Sequence, residues 1–161
     1  MAGRKPLVVG STGLPEQLQS GDTLVAPVTN ADVYQFTNGE ASPIVIGTPV
    51  YIQAATTVKK AKANAFSTAF VAGLVYDTSI SNGSSGSVQT DGIMSLSTAQ
   101  WDVVAGTTGG LTQGTLYFLD PSTAGMITAT PPSTAGQVNT LIGIAINTQD
   151  MKLMLSPPIK L

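Results

Sequence analysis

The chain has no histidine and no cysteine among its 161 residues. Without His it lacks the usual general base, the commonest transition-metal ligand and any Ser-His-Asp arrangement. Without Cys it also lacks thiol nucleophiles and the ligands that zinc prefers, and no disulfide reports on redox compartment. Charge is scarce as well: 10% of residues are charged, against roughly 25% in a usual soluble domain. Aromatic residues make up 6%. Mean hydropathy is +0.23, yet no apolar run approaches the ~20 residues of a membrane helix. The start is basic at Arg4 and Lys5, but the apolar run that follows, Leu7-Val8-Val9, is too short for a secretory leader. A soluble protein made in a cytoplasm is expected.

The residual chemistry is thin. The acids occur singly, with no Asp-x-Asp run of the calcium-loop type. Asp91 and Asp120 fall in turn sequences, where the carboxylate caps backbone amides. A glycosidase pair would require two distant carboxylates to meet. Gly106-Thr107-Thr108-Gly109-Gly110 is glycine-rich but lacks the Lys-Ser/Thr of a phosphate loop, so it reads as a turn. Lys59, Lys60 and Lys62 read as a solvated strand face, with a phosphate patch as the alternative. Between Lys62 and Lys152 the only charged residues are acids. No basic stripe alternates with aromatics, so nucleic-acid binding is not expected. The chain is expected to be no enzyme and to hold neither cofactor nor metal.

Serine and threonine fill the space that charge leaves: 14 Ser and 21 Thr. A neutral, hydroxyl-rich surface suggests that much of it ends against other subunits. Short apolar runs alternate with Gly, Pro, Asn and Asp clusters, the pattern of an all-β protein. A small barrel- or sandwich-like body is expected over 44–161, preceded by an extended arm over 1–43. Within that arm, residues 16–24 have room for one helical turn. One short helix is expected near 98–105, capped by Ser97 or Thr98 and ended by Gly106. Trp101 and Val104 would share its inner face.

An internal repeat emerges when the glycines are aligned. Gly47-Thr48-Pro49-Val50-Tyr51-Ile52 matches Gly114-Thr115-Leu116-Tyr117-Phe118-Leu119, and each leads to a glycine inside an apolar run, Gly73 or Gly143. The Gly-to-Gly spacings are 26 and 29 residues. Mid-strand glycine marks a bulge or a close backbone approach. Two related β-units are expected, at about 44–93 and 111–155, joined by the helix. Trp101, Tyr117, Gly73 and Gly143 are the expected structural core positions.

The stretch from about 70 to 161 also carries a resemblance. Asp91-Gly92-Ile93, Thr98-Ala99-Gln100-Trp101-Asp102, Gly109-Gly110-Leu111, Tyr117-Phe118-Leu119-Asp120, Pro131-Pro132 and Ile142-Gly143-Ile144-Ala145 together resemble tailed-bacteriophage head decoration (cement) or head-fibre proteins. Gly13 to Leu24 similarly resembles the leading segments of phage fibre and appendage proteins. The resemblance implies a structural virion protein on the outer surface of a phage head, stabilising the shell. It also implies the major capsid protein as partner, a homotrimeric state, and no nucleic acid or membrane. The alternative it leaves is a head-fibre, tail or baseplate protein that binds a host receptor or glycan. Arg4, Lys5, Leu7, Val8, Val9, Tyr34 and Phe36, all within the expected arm, are the candidate contacts to capsid or neighbouring subunit.

Overall fold

The computed structural model describes residues 32–161 in full. Before them it describes only the backbone of two short strands, β1 (Leu7–Val9) and β2 (Pro15–Gln17), which pair antiparallel. The protein is all-β, with a single α-helix among the described residues. The first part of the body contains β3 (Val33–Asn38), β4 (Ile44–Val45), β5 (Pro49–Ala54), β6 (Thr57–Lys60), β7 (Val71–Val75), β8 (Ser79–Ile80) and β9 (Ser85–Gln89). Five of these close a barrel in the order β3-β6-β5-β7-β9, while β4 and β8 form a side ribbon. The second part contains β10 (Ile93–Ser95), α1 (Thr98–Ala105), β11 (Leu116–Leu119), β12 (Ile127–Thr128), β13 (Val138–Asn139), β14 (Leu141–Ala145), β15 (Asp150–Leu153) and β16 (Ile159–Lys160). Its main sheet runs β10-β15-β14-β11-β12, and β13 pairs with β16.

The two parts are built on one register. Pro49, Val50 and Tyr51 face Leu74, Gly73 and Val71, with a bulge after Val50. Leu116, Tyr117 and Phe118 face Ile144, Gly143 and Leu141, with a bulge after Tyr117. The agreement continues outward. Leu74 faces Gln89, which faces Val33; Ile144 faces Lys152, which faces Ile93. The turns agree as well: the Gly47 amide donates to Val75 O and the Gly114 amide to Ala145 O, both at 2.8 Å. Both turn glycines have positive φ, 79° and 74°, a conformation that side chains disfavour. A Cβ on Gly73 would strike the carbonyl of Gln89 and lie 2.7 Å from Val88 Cγ1; one on Gly143 would strike the carbonyl of Lys152 and lie 3.0 Å from Met151 Cγ.

The units differ in how they close. β3 is six residues long and reaches β6, pairing Thr37 with Thr57 and Asn38 with Val58 in parallel. Its counterpart β10 has only three residues. There the chain turns into α1 through a capping box: the Ser97 amide donates to Gln100 Oε1 at 2.9 Å and the Gln100 amide to Ser97 Oγ at 3.3 Å. Gly106, in the left-handed region, ends the helix. Trp101 and Val104 are the helix's buried residues, and α1 lies beside β12, on the side that β3 closes in the first unit.

Two cores follow. The smaller brings Val50, Val58, Val75 and Val88 of the barrel strands together with Ile44 and Ile80 of the side ribbon, with Phe36 against them. The larger core joins the units. It brings Ala61, Ala63, Ala69 and Leu74 of the first against Leu96, Trp101, Leu119, Ile142 and Leu153 of the second. Backbone bonds stitch the same seam: Ala63 N to Asp120 O at 3.0 Å and Gly125 N to Ala61 O at 2.7 Å.

Three expectations are corrected. The body begins at residue 32, not 44, because β3 pairs with β9 on one edge and β6 on the other. Barrel closure therefore depends on residues assigned to the arm. The units run about 32–90 and 92–155, and the helix lies inside the second unit; β10, read as the end of the first unit, pairs with β15. Residues 15–17 form a strand against β1, so the expected helical turn does not begin at Glu16.

Gly143→Val should lower stability by ~1–3 kcal/mol through strain against the facing carbonyl, read from a thermal or urea melt. Trp101 is fully buried and its indole N–H donates to Gln149 O at 2.7 Å. Trp101→Ala should cost ~3–5 kcal/mol. The wild-type emission, from the chain's one Trp, should be blue-shifted and poorly quenched by iodide; a red, quenchable spectrum contradicts this packing.

Candidate interaction surface

Among the described residues, an apolar groove with a volume of about 570 Å³ opens on the barrel. β3 contributes Tyr34 and Phe36, and the outer end of β5 contributes Ile52. Phe70, Val71 and Ala72 enter from the start of β7, and Thr90 follows β9. Alternation along β3 explains the first two: Tyr34 lies opposite Val88, a barrel-interior residue, and Phe36 opposite Gly86. Phe36 reaches the interior, while Tyr34 stands at the rim. Tyr34, Ile52 and Phe70 are 56%, 51% and 59% exposed. Thr90 supplies the lining's one aliphatic hydroxyl and Tyr34 a phenol. Such a surface can bind by excluding water from an apolar partner. A smaller cleft of about 200 Å³ lies between Val45, Ile46 and Thr78 of the first unit and Gln100 and Val103 of the helix.

The carboxylates shape turns. Asp102, near the end of α1, accepts from Thr107 Oγ1 at 2.9 Å, Gly110 N at 2.8 Å and Gly109 N at 3.0 Å, and so fixes the glycine-rich loop. Asp120 Oδ1 accepts from the amides of Ser122 and Thr123, both at 2.6 Å. Asp77 accepts from Ser87 N at 2.8 Å and Glu40 from Lys60 N at 2.9 Å. Asp91 accepts from Gly92 N at 2.6 Å and pairs with Lys152 at 3.6 Å. Among the described residues no three acids gather into a metal-binding group. No helix among them is long and apolar enough to cross a membrane.

Of the contact residues expected from sequence, the structure brings Tyr34 and Phe36 together in the groove. Leu7, Val8 and Val9 form β1, paired with β2; Arg4 and Lys5 lie outside the described residues. Trp101, Gly73, Gly143 and Tyr117 are buried away from the surface, and the Tyr117 hydroxyl accepts from Thr112 N at 3.0 Å. Lys60 is partly structural, because its stem lies where a Cβ on Gly125 would meet it, 3.2 Å from Cδ. Sequence reasoning missed Ile52, Phe70, Val71, Ala72 and Thr90. Carrying the repeat back to Val33-Tyr34-Gln35-Phe36 against Ile93-Met94-Ser95-Leu96 would have exposed the groove, since aromatics stand where the second unit has aliphatics.

Hydrogen bonds from Gly110 foremost, then Gly109 and Thr107, hold the Asp102 carboxyl below the usual carboxylate range. A depressed folded-state value stabilises above the unfolded value, and that stabilisation is lost as pH falls through the folded one. Melting temperature should therefore drop as pH falls below about 4. Asp102→Asn should melt lower at neutral pH and show a shallower acid-side decline. An unchanged profile would mean that the loop does not depend on this charge. No protein-family model matches the chain, and no curated protein does.

Proposed function

We propose that this chain is a structural virion protein, a decoration protein that binds the outer surface of a tailed-phage head as a homotrimer and stabilises the shell. The observation that carries the reading is the open, aromatic-rimmed groove on a body that is otherwise poor in charge. Water-exposed apolar area of this kind is a binding surface in search of a partner. The resemblance to head decoration proteins supplies the partner class, the major capsid protein. Its motifs build the framework of the second unit: Trp101, Leu111, Tyr117 and Ile142 are core residues, and Asp102 anchors the loop between helix and sheet.

The mechanism is additive contact area. Apolar burial contributes about 25 cal/mol per Å², reduced by the freedom lost on association. A copy seated across a junction between capsid subunits adds that energy to the work of separating them. No chemistry is required. The exposed aromatics Tyr34 and Phe70 favour a second reading, a head-fibre, tail or baseplate protein that stacks host sugars. It ranks behind the first because the groove lining offers only the Tyr34 and Thr90 hydroxyls to bond a sugar.

Purified protein added to undecorated heads should co-sediment with them at saturable occupancy and delay heat-induced release of DNA. Binding to tails, fibres or host glycan in place of heads would select the second reading. Deleting residues 1–31 should leave the melt near wild type, since both cores lie in the remainder. The same deletion should lower head occupancy if the leading segment grips the particle; unchanged occupancy would place the contact on the β-body.

A further inference from the structure

The chain places a glycine directly after Asn or Asp at Asn38-Gly39, Asn82-Gly83 and Asp91-Gly92. Such a pair can close on itself. The glycine nitrogen and the carbonyl carbon of the preceding side chain complete a five-membered ring, and glycine has no side chain to shield the approach. Local sequence makes the three pairs alike. The fold separates them.

Asn38 is 1% exposed. Its Nδ2 donates to Ile80 O at 2.8 Å and to Ser42 O at 3.0 Å, and its Oδ1 accepts from Glu40 N at 2.7 Å. The Gly39 amide donates to Val58 O at 2.9 Å, beside the β3–β6 pairing that closes the barrel. A Cβ on Gly39 would lie 2.5 Å from Thr57 Cγ2, so the site has no room for a ring. Asp91 is exposed but ionised. The hydrogen bond from Gly92, then the charge of Lys152, hold its carboxyl below the usual carboxylate range. A carboxylate offers an attacking nitrogen no leaving group.

Asn82 has neither protection. Ser81 to Ser85 are all exposed, and Ser84 N donates to Ser81 O at 3.0 Å to close the turn. A Cβ on Gly83 would meet nothing within 4 Å. A single bond holds the nucleophile, from Gly83 N to Asn38 O at 2.9 Å. A bond in an exposed turn opens locally, whereas a side chain bonded in the core is released only when the barrel opens.

We propose that Asn82 is a site of spontaneous covalent modification, the one of the chain's two Asn-Gly pairs that the fold leaves able to deamidate. Hydroxide takes the Gly83 amide proton and the nitrogen attacks Asn82 Cγ. The Cγ–Nδ2 bond breaks and ammonia leaves. Water then opens the succinimide at one carbonyl or the other, giving an aspartyl or an isoaspartyl residue. Either product adds a negative charge to a chain of net charge −2. The isoaspartyl product also routes the backbone through the former side chain and lengthens the turn by a carbon atom. That turn holds the end of β3, since Asn38 N donates to Ser84 O at 2.9 Å and Asn38 O accepts from Gly83 N. Modification therefore loosens the strand end at which the barrel closes. None of this depends on a capsid.

The experiment is incubation of the full chain at mildly alkaline pH, followed by mass mapping of the peptides that carry Asn38 and Asn82. An isoaspartyl-directed methyltransferase labels the isomerised product. In the folded chain Asn82 should react at least about tenfold faster than Asn38, because the core pair reacts only through a larger opening. In urea the two should react at similar rates. Asn82→Gln, at an exposed position, should keep its melt and lose the label, because the larger ring closes far more slowly. The isoaspartyl fraction of wild type, separated by anion exchange, should melt below the unmodified fraction. A folded chain in which Asn82 reacts no faster than Asn38 overturns the proposal, since the Gly83 bond would then protect as well as burial does. Labelling that persists unchanged in Asn82→Gln also overturns it. An isoaspartyl fraction with an unchanged melt would overturn the link to β3.

Discussion

The close approach of a carbonyl to glycine, made once at Gly73 and again at Gly143, is the constraint on which the rest of the body depends. At each site a bulge on the glycine's own strand offsets the ladder by one residue: Ala72 is extra opposite the Val50-Tyr51 step, and Ile142 opposite the Tyr117-Phe118 step. A bulge bends and twists its strand, and Val50 and Tyr117, which face the two glycines, are buried in their cores. The curled sheet brings the next strand's carbonyl across the glycine, in space that a methyl group would fill. Both outer strands then inherit their register, because the pleat alternates with a period of two and any slip would invert every side chain.

On that common frame the units diverge through one local difference. β3 continues long enough to pair with β6 and close a barrel. β10 stops after three residues, where Ser97 and Gln100 cap a helix. The helix supplies Trp101 and Val104, and with the first unit's alanines it seals the apolar end of the second sheet. Among the described residues nothing covers the barrel in the same way, and Tyr34, Ile52 and Phe70 stay exposed. A duplicated framework with unequal closure thus leaves an apolar groove open among the described residues.

The low charge takes on physical meaning in this setting. The carboxylates of Asp91, Asp102 and Asp120 accept backbone amides in turns and loops, and those of Asp77 and Glu40 accept strand amides from the bends they sit in. They order loops that Ser, Thr and Gly would otherwise leave loose. Few charges remain to solvate the flat faces.

The all-β class, the helix at 98–105, the paired glycines and the repeat were legible in the sequence because each is a local signal. Turn residues, a capping residue with its C-terminal glycine, and a recurring Gly-Thr followed by strand residues are fixed within a few positions of one another. The assignment of Val33–Asn38 to the barrel was not legible, because β3 is separated from β9 by a long stretch of chain and its pairing depends on the whole barrel closing. The groove was beyond reach for the same reason: its residues come from four places in the chain and meet only through long-range pairing. Local chemistry decided which segments extend, turn or coil. Tertiary packing alone decided which apolar residues are covered, since the same register buries Leu119 beneath a neighbouring unit and leaves Ile52 in water.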